Sequence, residues 1–244
     1  MRNSFFRFKQ FTVYQDKCAM KVGTDGVLLG VLADVSKATR ILDIGTGTGL
    51  IALMLAQRQK DAHVDAIEID EQAAQQAQEN IAQSPFCYIH VHTTALQAYN
   101  STQPYDLIVS NPPYFVDSLK APNAARNLAR HTDSLSFADL LQGADRLLHN
   151  DGCFWVILPH DQTDAFCTLA TQQGLYPYHK VHIYPRSDKP AKRIVMGFIR
   201  QNTGCIEEDL IIETEQRHTY SPAFARLTAP FYLEWTGTMV PVLW

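Results

Sequence analysis

The chain has 244 residues, of which 46% are hydrophobic, 10% aromatic and 19% charged. That length suits one α/β body with appendages, and the composition supplies a large core, so a disordered polyelectrolyte is excluded. Lys and Arg number 21 against 25 Asp and Glu, a net charge of −4, so binding of a polyanion would depend on a local basic face and not on the total. No apolar run approaches the roughly 20 residues of a membrane helix; the longest, such as Cys153 to Leu158, have strand length. Residues 1–9 interrupt their apolar side chains with Arg2, Arg7 and Lys9 and lack a signal-peptide core, which points to a cytoplasmic protein with no membrane partner. The cysteines at 18, 87, 153, 167 and 205 are odd in number and form no CxxC pair, so they read as buried thiols of a reducing compartment. No HExxH occurs, and His90 and His92 alternate as a surface pair, so no metal is expected.

In chain order, Arg40 to Ile44 reads as a short apolar strand ending in a Gly-rich turn, followed by a helix from Leu50 to Gln59 with apolar positions 51, 54 and 55. Val64 to Glu68 is a second strand. Glu71 to Gln83 places Ala74, Ala77 and Ile81 on one helical face, with Asp70 as its N-cap. Strands follow at Cys87 to Val91, Tyr105 to Ser110 and Cys153 to Leu158, with a helix from Phe137 to Leu148 before the last of them. Asp161 to Gln173 is a helix stopped by Gly174, a residue suited to a left-handed cap. Tyr178 to Tyr184 and Arg193 to Arg200 are strands joined by residues 185–192, a connection too short for a helical crossover, so this pair should be antiparallel. The alternation predicts an α/β fold: a doubly wound, seven-stranded, mostly parallel sheet with an antiparallel last strand, covered on both faces.

Charge is segregated along the chain. Residues 1–21 hold Arg2, Arg7, Lys9, Lys17 and Lys21 against Asp16, and residues 180–200 hold Lys180, Arg186, Lys189, Lys192, Arg193 and Arg200 against Asp188. Acidic side chains crowd into 61–79 and 207–215. A basic face for a phosphate backbone, or an ordinary solvated edge, would each fit this pattern.

The turn Asp43-Ile44-Gly45-Thr46-Gly47-Thr48-Gly49 follows a strand and opens a helix, a context that brings backbone N–H groups against a ligand. A Cβ at the glycines would block that approach. Asp43 suits a cationic or amine-bearing ligand better than a pyrophosphate. Glu68 ends the next strand 19 residues after the last glycine, where a carboxylate can take both hydroxyls of a ribose. A nucleoside with a cationic, phosphate-free tail meets both requirements, and S-adenosylmethionine is such a molecule.

Tyr105 to Ser110 runs directly into Asn111-Pro112-Pro113-Tyr114, at the carboxyl end of a strand where open α/β sheets hold ligands. The Asn111 side-chain carbonyl and the Pro112 backbone carbonyl can accept the two N–H hydrogens of an exocyclic amine, drawing its nitrogen toward sp³ and freeing the lone pair. The prolines stiffen the loop and Tyr114 can stack on the acceptor ring. Residues 115–134, with Lys120, Arg126, Arg130 and His131, read either as a lid that orders on RNA or as a plain surface loop.

On these residues the chain resembles class I, Rossmann-like SAM-dependent methyltransferases with an Asn-Pro-Pro-Tyr motif. It is similar in particular to the tRNA(Val) adenine-N6 methyltransferases, which modify the adenine 3′ of the anticodon. The closer resemblance rests on Phe8-Lys9-Gln10-Phe11, on Cys18 to Gly26 with Leu28-Leu29-Gly30, and on Phe231-Tyr232-Leu233, and it covers nearly the whole chain. It implies that Lys21, Thr24 and Asp25 lie near the methionine end of the cofactor and that the following residues form the first core helix. It implies a cofactor site of Lys21, Thr24, Asp25, Asp43, Gly45, Thr46, Gly47, Gly49 and Glu68, and a catalytic site of Asn111, Pro112, Pro113 and Tyr114. Where many relatives carry an acidic residue for the cofactor's adenine amine, this chain has Thr94. The expected organisation is an N-terminal contact segment (1–39), a methyltransferase core (40–200), a C-terminal extension (201–235) and an apolar tail (236–244), acting as a monomer on valine tRNA. A protein glutamine-N5 methyltransferase uses the same motif, usually behind a separate N-terminal helical domain, whereas only 39 residues precede the first strand here. A non-catalytic SAM- or RNA-binding module is the alternative from another class.

Overall fold

The computed structural model describes residues 4–18, 20–113, 135–216 and 219–233. Its elements in chain order are β1 (Phe5–Arg7), β2 (Thr12–Tyr14), α1 (Thr24–Leu32), β3 (Arg40–Ile44), α2 (Leu50–Arg58), β4 (His63–Glu68), α3 (Glu71–Ala82), β5 (Ile89–Thr93) and β6 (Tyr105–Ser110). Then come α4 (Phe137–Leu147), β7 (Leu148–Pro159), α5 (Thr163–Gln172), β8 (Tyr176–Arg186), β9 (Arg193–Ile199), β10 (Ile206–Glu213) and α6 (Pro222–Thr228). The large sheet runs β10-β8-β9-β7-β6-β3-β4-β5, and β1 and β2 form a separate hairpin. Within the large sheet only β9 opposes its neighbours, β7 and β8; every other pairing is parallel. The expected antiparallel pair is therefore present, with β9 inserted between β7 and β8.

The period-two pattern of the central strands builds two cores. Leu107, Val109, Trp155, Ile157 and Val195 face α1, α2 and α6, while Ile108, Phe154, Val156, Ile194 and Met196 face α4 and α5. Asp70 caps α3 by accepting from the Ala73 N–H at 2.7 Å, and Gly174 takes φ +76° just after α5, both as expected. Gly197 on β9 has a packing reason: an added Cβ would lie 2.7 Å from the Trp155 ring and from Tyr178. Gly197→Ala should cost roughly 1–3 kcal/mol by overpacking, with Tm falling by about 2–4 °C per kcal/mol. Thermal melts check this, and an unshifted Tm would mean that the Trp155 corner yields freely.

Three sequence expectations need correction. The sheet has eight strands and not seven: the acidic run beginning at Ile206 is the edge strand β10, whose Glu207 and Glu208 pair with Lys180, His182 and His179 of β8. Its charges looked like a solvated segment because they are exposed, yet they satisfy their partners across a strand pair. The cysteines are not buried as a group. All five are free thiols, with Cys87 and Cys205 exposed and the other three half-buried. β5 also begins two residues later than expected, because its register is set by pairing Ile89 with Val64 and Thr93 with Glu68.

The two ends of the described chain meet. The Lys9 N–H donates to the Phe231 carbonyl at 2.7 Å, and Lys9 Nζ donates to the Ala229 carbonyl at 2.8 Å. Phe8 stacks on Phe11 at 4.7 Å and on Tyr232 at 5.9 Å. The two family-like motifs far apart in sequence thus form one aromatic clasp over the core.

Candidate active site

Glycine turn, β4 end and β6 end converge at the carboxyl edge of the sheet, where strand order reverses beside β3. The Gly45 and Thr46 N–H groups donate to the Ile67 carbonyl at 2.9 and 3.1 Å, pinning the turn to β4. Gly45, Gly47 and Gly49 take φ of +71°, +56° and +81°, a region that other residues enter at a cost. Ser110 Oγ donates to the Ile44 carbonyl at 3.0 Å, which fixes the start of Asn111-Pro112-Pro113 beside the turn. Asn80, fully buried on α3, donates through Nδ2 to the Thr48 and Tyr14 carbonyls at 2.9 Å each and so locks β2 to the glycine turn. Gln15 continues that support: its Oε1 accepts from the Val22 N–H at 2.7 Å.

Two adjoining cavities open there. One, of about 470 Å³, is lined by Lys21, Thr24, Asp25, Gly45, Thr46, Gly47 and Asn111, together with Ile183, Lys192 and Arg193 from the β8–β9 corner. The other, of about 460 Å³, is lined by Glu68, Ile69, Asp70, Thr94, Ala95, Pro112 and Pro113. Met20, Gly45, Gly47 and Asn111 belong to both walls. Among the described candidates two, Gly49 and Asp43, line neither. Gly49 starts α2 and packs toward Ala77 of α3, and Tyr114 lies outside the described residues, as do the segment from 115 to 134 and the tail.

Asp43, the other candidate, sits beneath the turn without lining either cavity. It is fully buried; Oδ2 accepts from Thr46 Oγ1 at 2.6 Å and from the Ala52 N–H at 3.2 Å, while Oδ1 has no hydrogen-bond partner. Burial raises its pKa from 3.8 to about 7, against the opposing pull of those two donors. A carboxyl that is more basic when folded keeps its proton between those values, so its ionisation destabilises the protein as pH rises from about 4 to about 7. Asp43→Asn removes this, and its Tm should gain on the wild type across that window; a pH-independent difference would show that Asp43 does not titrate there.

Glu68 already serves the backbone. Oε2 accepts from the Gly47 N–H at 2.9 Å, and Oε1 from Ile69 and Asp70 N–H groups at 2.8 and 3.0 Å. Three donors occupy most of a carboxylate's roughly four acceptor sites, so chelating a diol requires it to exchange at least one. Cys18, at the rim of the second cavity, has its thiol pushed up to about 11 by burial and by Glu68 and Asp70, which favours the protonated form near neutral pH. Sequence reasoning missed Met20 and Ile69, and it placed Lys192 and Arg193 in a basic run without bringing them to this cavity. Ile69 gave no signal in the sequence, since its 63% exposure in a strand exit is visible only in the structure. Thr94 borders the Glu68 cavity, and its N–H donates to the Glu68 carbonyl at 2.8 Å.

The basic run from 180 to 200 is largely satisfied within the fold. Lys180 pairs with Glu207, Arg186 and Lys189 with Asp188, Arg193 with Asp25 and Arg200 with Asp145. Among the described residues no group of three or more His, Cys, Asp or Glu is placed to hold a metal, and no helix is long and apolar enough to cross a membrane.

The methyltransferase small domain family model matches residues 18–166. The tRNA1(Val) (adenine(37)-N6)-methyltransferase of Bacteroides fragilis strain YCH46 is 51% identical over 238 residues, covering 96% of this chain and all of that one. The chain belongs to the tRNA1(Val) (adenine(37)-N6)-methyltransferase family. A second member, from Pseudoalteromonas translucida, is 46% identical over 95% of this chain and 99% of its own. A solved structure, a predicted O-methyltransferase from Agrobacterium tumefaciens, has a TM-score of 0.68 at 19% identity over 85% of this chain and 96% of that one, which shows the shared fold alone. Family membership makes the protein a methyltransferase.

Proposed function

We propose that the protein transfers the methyl group of S-adenosylmethionine to the exocyclic N6 of the adenine 3′ of the anticodon in valine tRNA, as a cytoplasmic monomer. The observation that carries this reading is the position of Asn111, on the wall common to both cavities and next to the glycine turn. The cavity of Glu68, Ile69 and Thr94 fits an adenosine: a carboxylate for the ribose, an exposed apolar face for the base and Thr94 at the far wall. Lys21, Thr24 and Asp25 border the other cavity, which suits a zwitterionic amino-acid end. The buried, unpartnered Oδ1 of Asp43 beneath the turn favours a positive charge nearby.

S-adenosylmethionine supplies a methyl group activated on a sulfonium. Asn111 and the Pro112 carbonyl accept the amine hydrogens, hold the nitrogen lone pair toward the methyl and stabilise the positive charge that develops on nitrogen. The amine becomes acidic as it attacks, so no strong base is required. The target adenine lies in a loop, where unstacking costs less than in a duplex, and enters past Pro113.

Incubation with labelled S-adenosylmethionine and, separately, bulk tRNA, DNA and release factors tests this. Label in N6-methyladenine of valine tRNA is the expected result. Label on a glutamine side chain would establish the protein-methyltransferase reading instead, and binding without transfer to any acceptor would establish a non-catalytic module.

A further inference from the structure

The methyl donor would carry its positive charge to a place directly above a buried carboxyl. With adenosine in the cavity of Glu68 and the amino-acid end in the cavity beside α1, the sulfonium between them lies at the wall common to both, formed by Met20, Gly45, Gly47 and Asn111. Asp43 stands two residues before Gly45 in the chain. Thr46, between the two shared glycines, borders the cavity beside α1 and donates its hydroxyl to Asp43 Oδ2 at 2.6 Å. The Thr46 side chain thus links the carboxyl to the ligand space.

The surroundings of Asp43 leave its charge open to change. It is fully buried, and the Ala52 N–H is the second donor to Oδ2, whereas Oδ1 has no hydrogen-bond partner among the described residues. An ionised form is therefore poorly served, and burial holds the group at about 7. Its partners in the sheet are apolar, Ala66 of β4 and Val109 of β6. Glu68, at the end of β4, adds a negative charge that also favours the protonated form. Lys21, Asp25, Lys192 and Arg193 border the cavity beside α1, and their charges meet donor and product alike. A cation over such a site stabilises the carboxylate, and a buried, low-dielectric path screens that attraction little.

We propose that Asp43 senses the donor's charge: it gives up its proton when S-adenosylmethionine binds and takes one back when the thioether product forms, so that the protein holds donor in preference to product. The proposal rests on the cofactor reading above. In the transfer the S–CH3 bond breaks with its electron pair going to sulfur, the nitrogen lone pair forms the N–CH3 bond, and an amine proton leaves to solvent. The sulfonium charge is then gone, and Asp43 takes a proton from solvent. Linkage fixes the sign. A ligand that binds the ionised form better gains affinity as pH rises through the titration, and the uncharged thioether gains nothing by it.

Calorimetry of the full chain with S-adenosylmethionine and, separately, S-adenosylhomocysteine tests this, because the ratio of the two affinities cancels the ribose, amine and carboxylate that they share. The ratio should move about tenfold in the donor's favour between about pH 5 and about pH 8, within the usual range of coupling between two sites, and should be level in Asp43→Asn. Should that variant fail to fold, wild-type protein decides alone. At about pH 6.5, titrations in buffers of different ionisation heat should show donor binding releasing about half a proton more than product binding. Infrared difference spectra should show the carboxylic-acid C=O band weakened by donor and kept with product. A ratio independent of pH, a pH dependence that survives in Asp43→Asn, equal proton release, or an acid band that donor leaves intact would overturn the proposal and leave the cofactor reading in place. Failure of both ligands to bind would overturn the cofactor reading, and this proposal with it.

Discussion

On the proposed mechanism Asn111→Ala should lower single-turnover methyl transfer by about 10²–10³-fold while affinity for S-adenosylmethionine stays nearly unchanged, because the acceptor carbonyl that it removes would act mainly on charge developing in the transition state. The split follows from geometry. Asn111 borders both cavities, but the glycine turn is anchored by Ile67 and Glu68 and the segment at 22 by Gln15, none of which needs the Asn111 side chain. Asn111→Asp is a useful companion, since it keeps the shape and one acceptor while adding a charge. Single-turnover rates with saturating donor and tRNA decide it. Wild-type turnover in Asn111→Ala would place the chemistry elsewhere.

On the same proposal Gly47→Leu should abolish donor binding, a loss of at least about 10²-fold in affinity, with the melting temperature only slightly lowered. At φ +56° a non-glycine residue pays about 1–2 kcal/mol in backbone strain. A Cβ there meets no protein atom within 4 Å, because it enters open space at a turn that lines both cavities, so the leucine occupies volume that the ligand needs. Calorimetry reads the outcome directly. Unchanged affinity would remove the glycine turn from the cofactor site.

Much of this arrangement is legible in the residue order because its signals are local. The apolar run Arg40–Ile44, the three glycines after it and Glu68 at the end of the next strand sit within one βαβ unit, where sequence spacing and spatial proximity coincide. The antiparallel β8–β9 pair follows from loop length alone. What escapes is non-local. β10 reads as an acidic stretch until Lys180 and His182 are seen across from it, and β1 and β2 are three residues each, too short for a period to register. Asp43 is only half legible: its position before the glycines suggests a ligand contact, whereas its place beneath the turn, with Oδ2 accepting from Thr46 and Ala52, is seen only in the fold. Arg193 and Asp25 are 168 residues apart, and no pattern along the chain couples a helix start to the start of a strand so distant in sequence.

The clasp between Lys9 and residues 229–231 has a consequence for biosynthesis. A nascent chain that has emerged as far as Glu213 already contains every strand of the large sheet, yet the hydrogen bonds from Lys9 to Ala229 and Phe231 close over some 220 residues and cannot form until those partners leave the ribosome. β2 itself is already held to α3 through Asn80, so what arrives late is the seat of Lys9 and Phe8 against residues 229–232. Ordinary folding from the N-terminus forward would leave this aromatic corner open while the rest assembles. A chain truncated within α6 should accordingly carry an intact sheet and an exposed Phe8 and Phe11.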